Sequence, residues 1–410
     1  MPGLFQKILI SAAVLGLVAV EGAPSVEPRT ATEQGNGPKA IYFLTNEAQN
    51  AVVALPVGCD GTLSGGSVTG TGGKGSNAID MNTSLPAAPD ALGSQSALTV
   101  SGQYLFAVNA GSNTLTMFSI SARDPTKLTV LGRSASVPGD FPVTVAASAK
   151  NNLVCVGTTG VKSGVSCTSF SSHGLGKLDA LRPFGLGQTN PPVGPFNTVS
   201  HTFFSSDESV LFTTVKGNPP LNNTGFVSAF PVKPTSACGG AISSLSTSET
   251  RSSPAGTAVL FGSAAIPDST SLFVTDASFG GAVLSVDSSN KATLAGKGVI
   301  SNQSATCWVT ISDVIGTAFV SDIAVNRLVQ MSTTDASIIS STDLSANGGP
   351  GLTDLASGGN FVYALSAGDG TTKTAVTVLD VSEGEVKQIQ HFDVSSTGAG
   401  KNSQGMTVLM

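Results

Sequence analysis

Residues 104–120 read YLFAVNAGSNTLTMFSI, and the reading of this stretch decides the fold. Two apolar runs flank the polar turn AGSNT, and apolar and polar side chains alternate on either side of it. β-Branched and aromatic residues at period two, with Gly and Asn where the chain reverses, predict a β-hairpin. The hairpin is either a local feature or the unit from which the chain is built.

The same pattern recurs as AIYFLT (40–45), YLFAVN (104–109), NLVCVG (152–157), VLFTTV (210–215), SLFVTD (271–276), TAFVSD (317–322) and FVYALS (361–366). Successive copies are 44 to 64 residues apart, as loops of unequal length on a constant unit would make them. A strand precedes most copies, as in SQSALTV (94–100), FPVTVAAS (141–148), TVSHTFF (198–204), TCWVTI (306–311) and GLTDLA (351–356). Outer strands are expected near DPTKLTVLG, GKLDALR and NKATLAG. Seven repeats of four short strands predict an all-β, seven-bladed β-propeller over residues 39–410. A β-sandwich also alternates strands and turns, but it does not repeat one four-strand order seven times. The first hairpin lacks a strand of its own before it, and SQGMTVLM (403–410) reads as a first strand with nothing after it. Pairing Met406–Leu409 beside Ile41–Leu44 is expected to complete blade one and to cover two sheet edges.

Composition agrees with short strands and many turns. Of 410 residues 48 are Gly, and only 11% are charged, against roughly 25% in ordinary soluble domains. The net charge of −6 is thinly spread, and the absence of a Lys/Arg run argues against nucleic acid or an anionic membrane as partner. At the N-terminus one cation, Lys7, precedes an apolar run over 8–20 and the small residues Gly22 and Ala23. This pattern predicts a signal peptide over residues 1–22, since the run is short for a membrane span. Residues 23–38 lack apolar periodicity and are expected to be a disordered leader. The expectation is a secreted, extracellular monomer.

Of five cysteines, Cys155 and Cys167 sit on the two arms of one predicted hairpin and are the expected disulfide. Cys59 and Cys238 are the next pair, which leaves Cys307 odd and buried. No Cys or His cluster has metal-ligand spacing, so neither a metal nor a cofactor is expected. Asn82, Asn222 and Asn302 begin N-glycosylation sequons.

In a propeller, the loops into each inner strand and those after each second strand surround one mouth of the channel. Here they carry Asn46, Asn109, Lys216, Asp276 and Asp322, and the inner-strand segments add Gln95 and Asp354. These seven are the candidate ligand-binding residues, because function concentrates on such loops. The competing reading is that Asn and Asp stand there as ordinary turn formers. The long segments 71–93 and 182–196 are expected over the same face. His201 is the one histidine of three on a predicted inner strand, and is a candidate general base or a hydrogen-bonded structural residue. Trp308 reads as packing.

QSALTVSGQYLFAVNAGSNTLTMFSI, AIYFLTNEAQNAVVALPVGCDGTLS and SHTFFSSDESVLFTTVKGN resemble blades of the lactonase family. That family includes 6-phosphogluconolactonase and the fungal 3-carboxymuconate cyclases, and the resemblance extends to secreted fungal cyclase-like proteins over about residues 40–410. It implies a seven-bladed propeller and a site where His, Arg and Glu converge on a lactone ring. The sequence departs from that set. SQSALTV has no histidine, and TAVLFGSAAIPDSTSLFVTD has neither an Arg-His pair before its strand nor Asn-Glu after it. Only His201 matches, and one histidine without arginine is poorly equipped to stabilise charge developing on a ring carbonyl. Two functions follow from the resemblance. One is a catalytically degenerate propeller that binds a small polar ligand, extracellular glycan or protein at the channel mouth. The other is an active lactone hydrolase or muconate cycloisomerase with a rearranged central-channel site.

Overall fold

The computed structural model describes residues 37–237 and 240–410. The expected signal peptide, all but the last two residues of the expected leader, and Cys238 lie outside the described residues.

Ala40–Leu44 is buried along its whole length, and its two faces meet different neighbours. Tyr42 and Leu44 pack with Leu105 and Phe106 on one side. Ile41 and Phe43 pack with Tyr363 and Leu365 on the other. A strand sandwiched between two sheets needs apolar residues at every position, which is why the second strands read as continuous apolar runs. Two tyrosines extend this contact with their hydroxyls. Tyr42 Oη donates to Pro125 O (2.7 Å), and Tyr363 Oη donates to Gly61 O (3.2 Å).

The strands form seven antiparallel blades. The inner strands of blades two to seven are Leu98–Ser101, Pro142–Ser148, Val199–Phe204, Leu260–Ala265, Thr306–Ile311 and Asp354–Gly358. Their second strands are Tyr104–Asn109, Leu153–Thr158, Val210–Val215, Leu272–Asp276, Thr317–Asp322 and Phe361–Ser366. In blade one the inner position is taken by Gln404–Leu409, which pairs antiparallel with Ala40–Leu44. Each inner strand packs against the next, and Gln404–Leu409 touches those of blades two and seven. No α-helix occurs among the described residues, which hold only short 3-10 turns.

Blade three corrects one expectation. GKLDALR (176–182) is not its outer strand; the third strand, Gly164–Ser171, pairs instead with Gly174–Leu175 and Arg182–Pro183. The reason is a buried Arg182, which needs acceptors. It takes both carboxylate oxygens of Asp179 (3.0 and 2.8 Å) and the backbone carbonyls of Leu245 and Ser246 in blade four. Asp179 Oδ1 also accepts from Cys167 N (2.7 Å), so this turn replaces a ladder. Next to it, Cys155 and Cys167 are directly opposed in register and form a disulfide. Cys59 is a free, exposed thiol and Cys307 a free, buried one.

Candidate functional site

The starts of the inner strands and the ends of the second strands meet at one mouth of the channel. Two Pro- and Gly-rich segments roof it. Ile79–Asp80 pairs in parallel with Val193–Gly194, joined by Ile79 N to Pro192 O (2.8 Å) and Met81 N to Gly194 O (3.0 Å). Beneath them lies a cleft of about 430 Å³. Its walls are largely apolar, with Leu92, Pro195, Phe196, Val259, Phe261 and Ile323 prominent.

Lys216, Asp90 and Cys307 also line the cleft. Lys216 follows the second strand of blade four and is only 1% exposed. Its Nζ donates to Gly93 O and lies 4.5 Å from the centroid of the Phe261 ring. Burial lowers its pKa to about 8, although the Asp90 carboxyl pulls it back up. Asp90 Oδ1 is buried without a hydrogen-bond partner. Burial pushes the Asp90 carboxyl up to about 6, while Lys216, the N–H groups of Gly93 and Ser94 and the Gln404 amide pull it down. The Cys307 thiol is held well above its ordinary range, by burial first and by the Asp90 charge next, and is therefore neutral.

Two further polar groups lie deeper. Asp354 is fully buried; its Oδ1 accepts from Leu355 N (2.8 Å) and its Oδ2 has no partner. Burial, reinforced by the Asp90 charge, holds this carboxyl well above the ordinary carboxylate range. Gln404 Oε1 accepts from Leu92 N (2.8 Å), tying blade one to the roof. Perturbed acids and an amine gathered at a cleft are what binding and catalytic sites require.

The remaining candidates sit elsewhere. His201 is buried, and it is not among the residues lining the cleft. Its Nδ1 accepts from Ser263 N (3.2 Å), which leaves Nε2–H to donate to Ser96 Oγ (2.9 Å). Its ring stacks on Phe203 at 4.9 Å. Burial lowers its pKa to about 3 from an ordinary value of 6.5, so the folded protein holds it neutral. The unfolded chain takes up a proton at this residue below pH 6.5 and the folded chain does not. Stability present above that pH is therefore lost as pH falls, at up to about 1.4 kcal/mol per unit. Denaturant titrations between pH 7 and 4 should show a shallower acid-side loss in His201→Gln; identical slopes would mean the histidine charges in the fold.

Gln95 stands ahead of the inner strand of blade two rather than within it. Its amide exchanges two bonds with Val309 in blade six (2.9 and 3.1 Å). Trp308 Nε1 donates to Ser94 O (3.1 Å) beside it, so the segment before blade two fills the channel. Asn109 links blades one and two through Asn50 (3.0 Å) and Thr71 (2.6 Å). Asn46 binds Asn50 and Ser76 within blade one and its following loop. Asp276 accepts from Ala258 N (2.6 Å), Val259 N (3.0 Å) and Ser278. Asp322 accepts from the backbone of Ser304, Ala305, Ala324 and Val325. Asp276 and Asp322 therefore satisfy loop backbone, and Gln95, Asn46 and Asn109 tie neighbouring segments together, rather than facing the cleft with a free oxygen. Asp90 and Gln404 were not among the sequence candidates. The one signal for Asp90 was a lone carboxylate in the apolar run PAAPDALG of a long loop.

The fold and the site define a seven-bladed β-propeller with a roofed, mainly apolar cleft at one mouth. The chain is similar in fold to a putative 6-phosphogluconolactonase from Bacteroides fragilis, at TM-score 0.62 and 10% identity over 94% of this chain and 100% of that one. It is also similar to the periplasmic gluconolactonase PpgL of Pseudomonas aeruginosa, at TM-score 0.57 and 15% identity over 90% of this chain and 99% of that one. No family model and no curated protein matches the sequence. At these identities the likeness establishes the propeller fold.

Proposed function

We propose that this is a secreted, lactonase-like propeller, akin to the fungal 3-carboxymuconate cyclase-like proteins, that binds a small ligand in the roofed cleft. The ligand is largely apolar with one polar head that meets Lys216 and Asp90, and the lactone-hydrolysing set has been lost. The observation that carries this reading is a cleft of apolar walls that holds the buried Lys216 and the partly buried Asp90. A phosphorylated sugar lactone needs several cationic or donor groups around its phosphate. Among the described residues, Lys216 is the one cationic side chain lining the cleft. Asp80, which also lines it, has Oδ1 engaged by Asn82 and Thr83.

The roof favours a small ligand over a protein or glycan chain. Asn82, Asn222 and Asn302 are exposed on loops of this same face, where glycans would further restrict large partners. The Cys155–Cys167 disulfide supports an oxidising compartment. A melting-temperature screen of small aromatic and alicyclic carbonyl compounds, alcohols and acids, alongside sugar lactones and their phosphates, tests the reading. A ligand at about a hundred times its Kd adds about 2.7 kcal/mol and raises the melting point by a few degrees. Apolar compounds with one polar head are expected to do this. Turnover of a sugar lactone, or no shift with any apolar compound, would overturn the reading.

A further inference from the structure

We infer that Lys216 is a nucleophilic amine and that the cleft takes small apolar aldehydes or ketones as reversible imines, with Asp90 carrying the protons. The inference rests on the cleft being open to small ligands, as proposed above, and names the chemical class they belong to. Among the described residues, Lys216 is the one amine side chain lining the cleft, and it forms no ion pair within 4.0 Å. Its Nζ is held by one carbonyl oxygen, that of Gly93, and by the face of Phe261. Loss of its proton therefore breaks no direct carboxylate contact, and apolar surroundings favour the neutral amine. Burial has already moved it to about 8, so roughly a tenth of the amine is free at pH 7 and about half at pH 8.

Asp90 supplies what the condensation also needs. Its Oδ1 is buried, has no hydrogen-bond partner, and belongs to a cleft-lining residue electrostatically coupled to Lys216. The Nζ lone pair adds to the carbonyl carbon, and Asp90 relays the amine proton to the carbonyl oxygen. The carbinolamine then gives up its second nitrogen proton, and its hydroxyl leaves as water, forming C=N. Amine and carbonyl thus become imine and one water, and Asp90 returns to its starting state. The apolar walls keep bulk water from reversing the step at once. Cys307, which also lines the cleft, is a neutral thiol and competes poorly.

The test treats the folded full chain with benzaldehyde and sodium cyanoborohydride at mildly alkaline pH, then maps benzylated lysines by mass. Lys127, 76% exposed, is the internal reference. Lys216 is expected to be labelled at least about tenfold faster than Lys127. Asp90→Asn is expected to slow labelling at Lys216 and leave Lys127 unchanged. Benzyl alcohol, of similar shape but without a carbonyl, reports whether the cleft is open by raising the melting temperature. If benzyl alcohol binds and Lys216 is labelled no faster than Lys127, the imine is wrong and the cleft reading stands. If neither occurs, both fail. Unchanged Lys216 labelling in a folded Asp90→Asn variant overturns the role of Asp90.

Discussion

A chain ending at Ser403 is expected to aggregate or fail to accumulate, whereas one lacking only Met410 should fold. Gln404–Leu409 is the inner strand of blade one, hydrogen-bonded to Ala40–Leu44 and packed against the inner strands of blades two and seven. Its loss would unpair one edge of a strand buried along its whole length. It would also remove Met406 and Val408 from the cluster holding Ile41, Phe43 and Tyr363. The bond from Leu92 to Gln404 that ties down the roof would go as well. Buried aliphatic side chains are worth roughly 1.5–3 kcal/mol each. Whole domains are stable by only about 5–15 kcal/mol. The freed edge would then recruit other chains. Met410 is about half exposed, so removing it alone should cost little. Soluble yield and thermal melts of the two truncations check this. Equal tolerance of both would mean that the inner strand contributes little to the fold.

Asp322→Ala is the point substitution expected to cost most outside the apolar core, at about 3–5 kcal/mol. The carboxylate is 3% exposed and accepts from four backbone N–H groups, of Ser304 (2.7 Å), Ala305 (3.1 Å), Ala324 (2.9 Å) and Val325 (3.1 Å). Alanine leaves those donors without their acceptor, at about 1–3 kcal/mol for each group that stays buried and unpaired. Chemical denaturation of the variant beside wild type measures the loss. A loss below about 1 kcal/mol would mean that water or a rearranged loop replaces the carboxylate.

The fold was legible because the second strands meet neighbours on both faces. A residue such as Phe43 or Phe106 must then be apolar whichever way it points, and the pattern survives loops of any length. The Cys155–Cys167 pair was legible for a related reason, since a short hairpin fixes its own register. Blade three's outer strand was not, because Arg182 is satisfied by carbonyls of blade four, far away in sequence. The site was less legible still. Lys216 and Asp354 stood among the sequence candidates, but Asp90 lies on the roof and Gln404 on the C-terminal strand. Only the closed ring brings these groups together. Asn109, Asp276 and Asp322 show a different limit. A polar residue that binds a ligand and one that satisfies a loop backbone look alike in sequence, because turns favour the same residue types. For His201 the strand was readable, but the ring's partners, Ser96 and Ser263, come from other blades.

The most direct measurement is ligand binding to Lys216→Met and His201→Gln beside wild type, using whichever compound raises the melting temperature of the intact protein most. If the roofed cleft is the working site, Lys216→Met loses binding by about tenfold or more, and His201→Gln binds as wild type does. Binding retained in Lys216→Met and lost in a folded His201→Gln would contradict this and place the site in the channel.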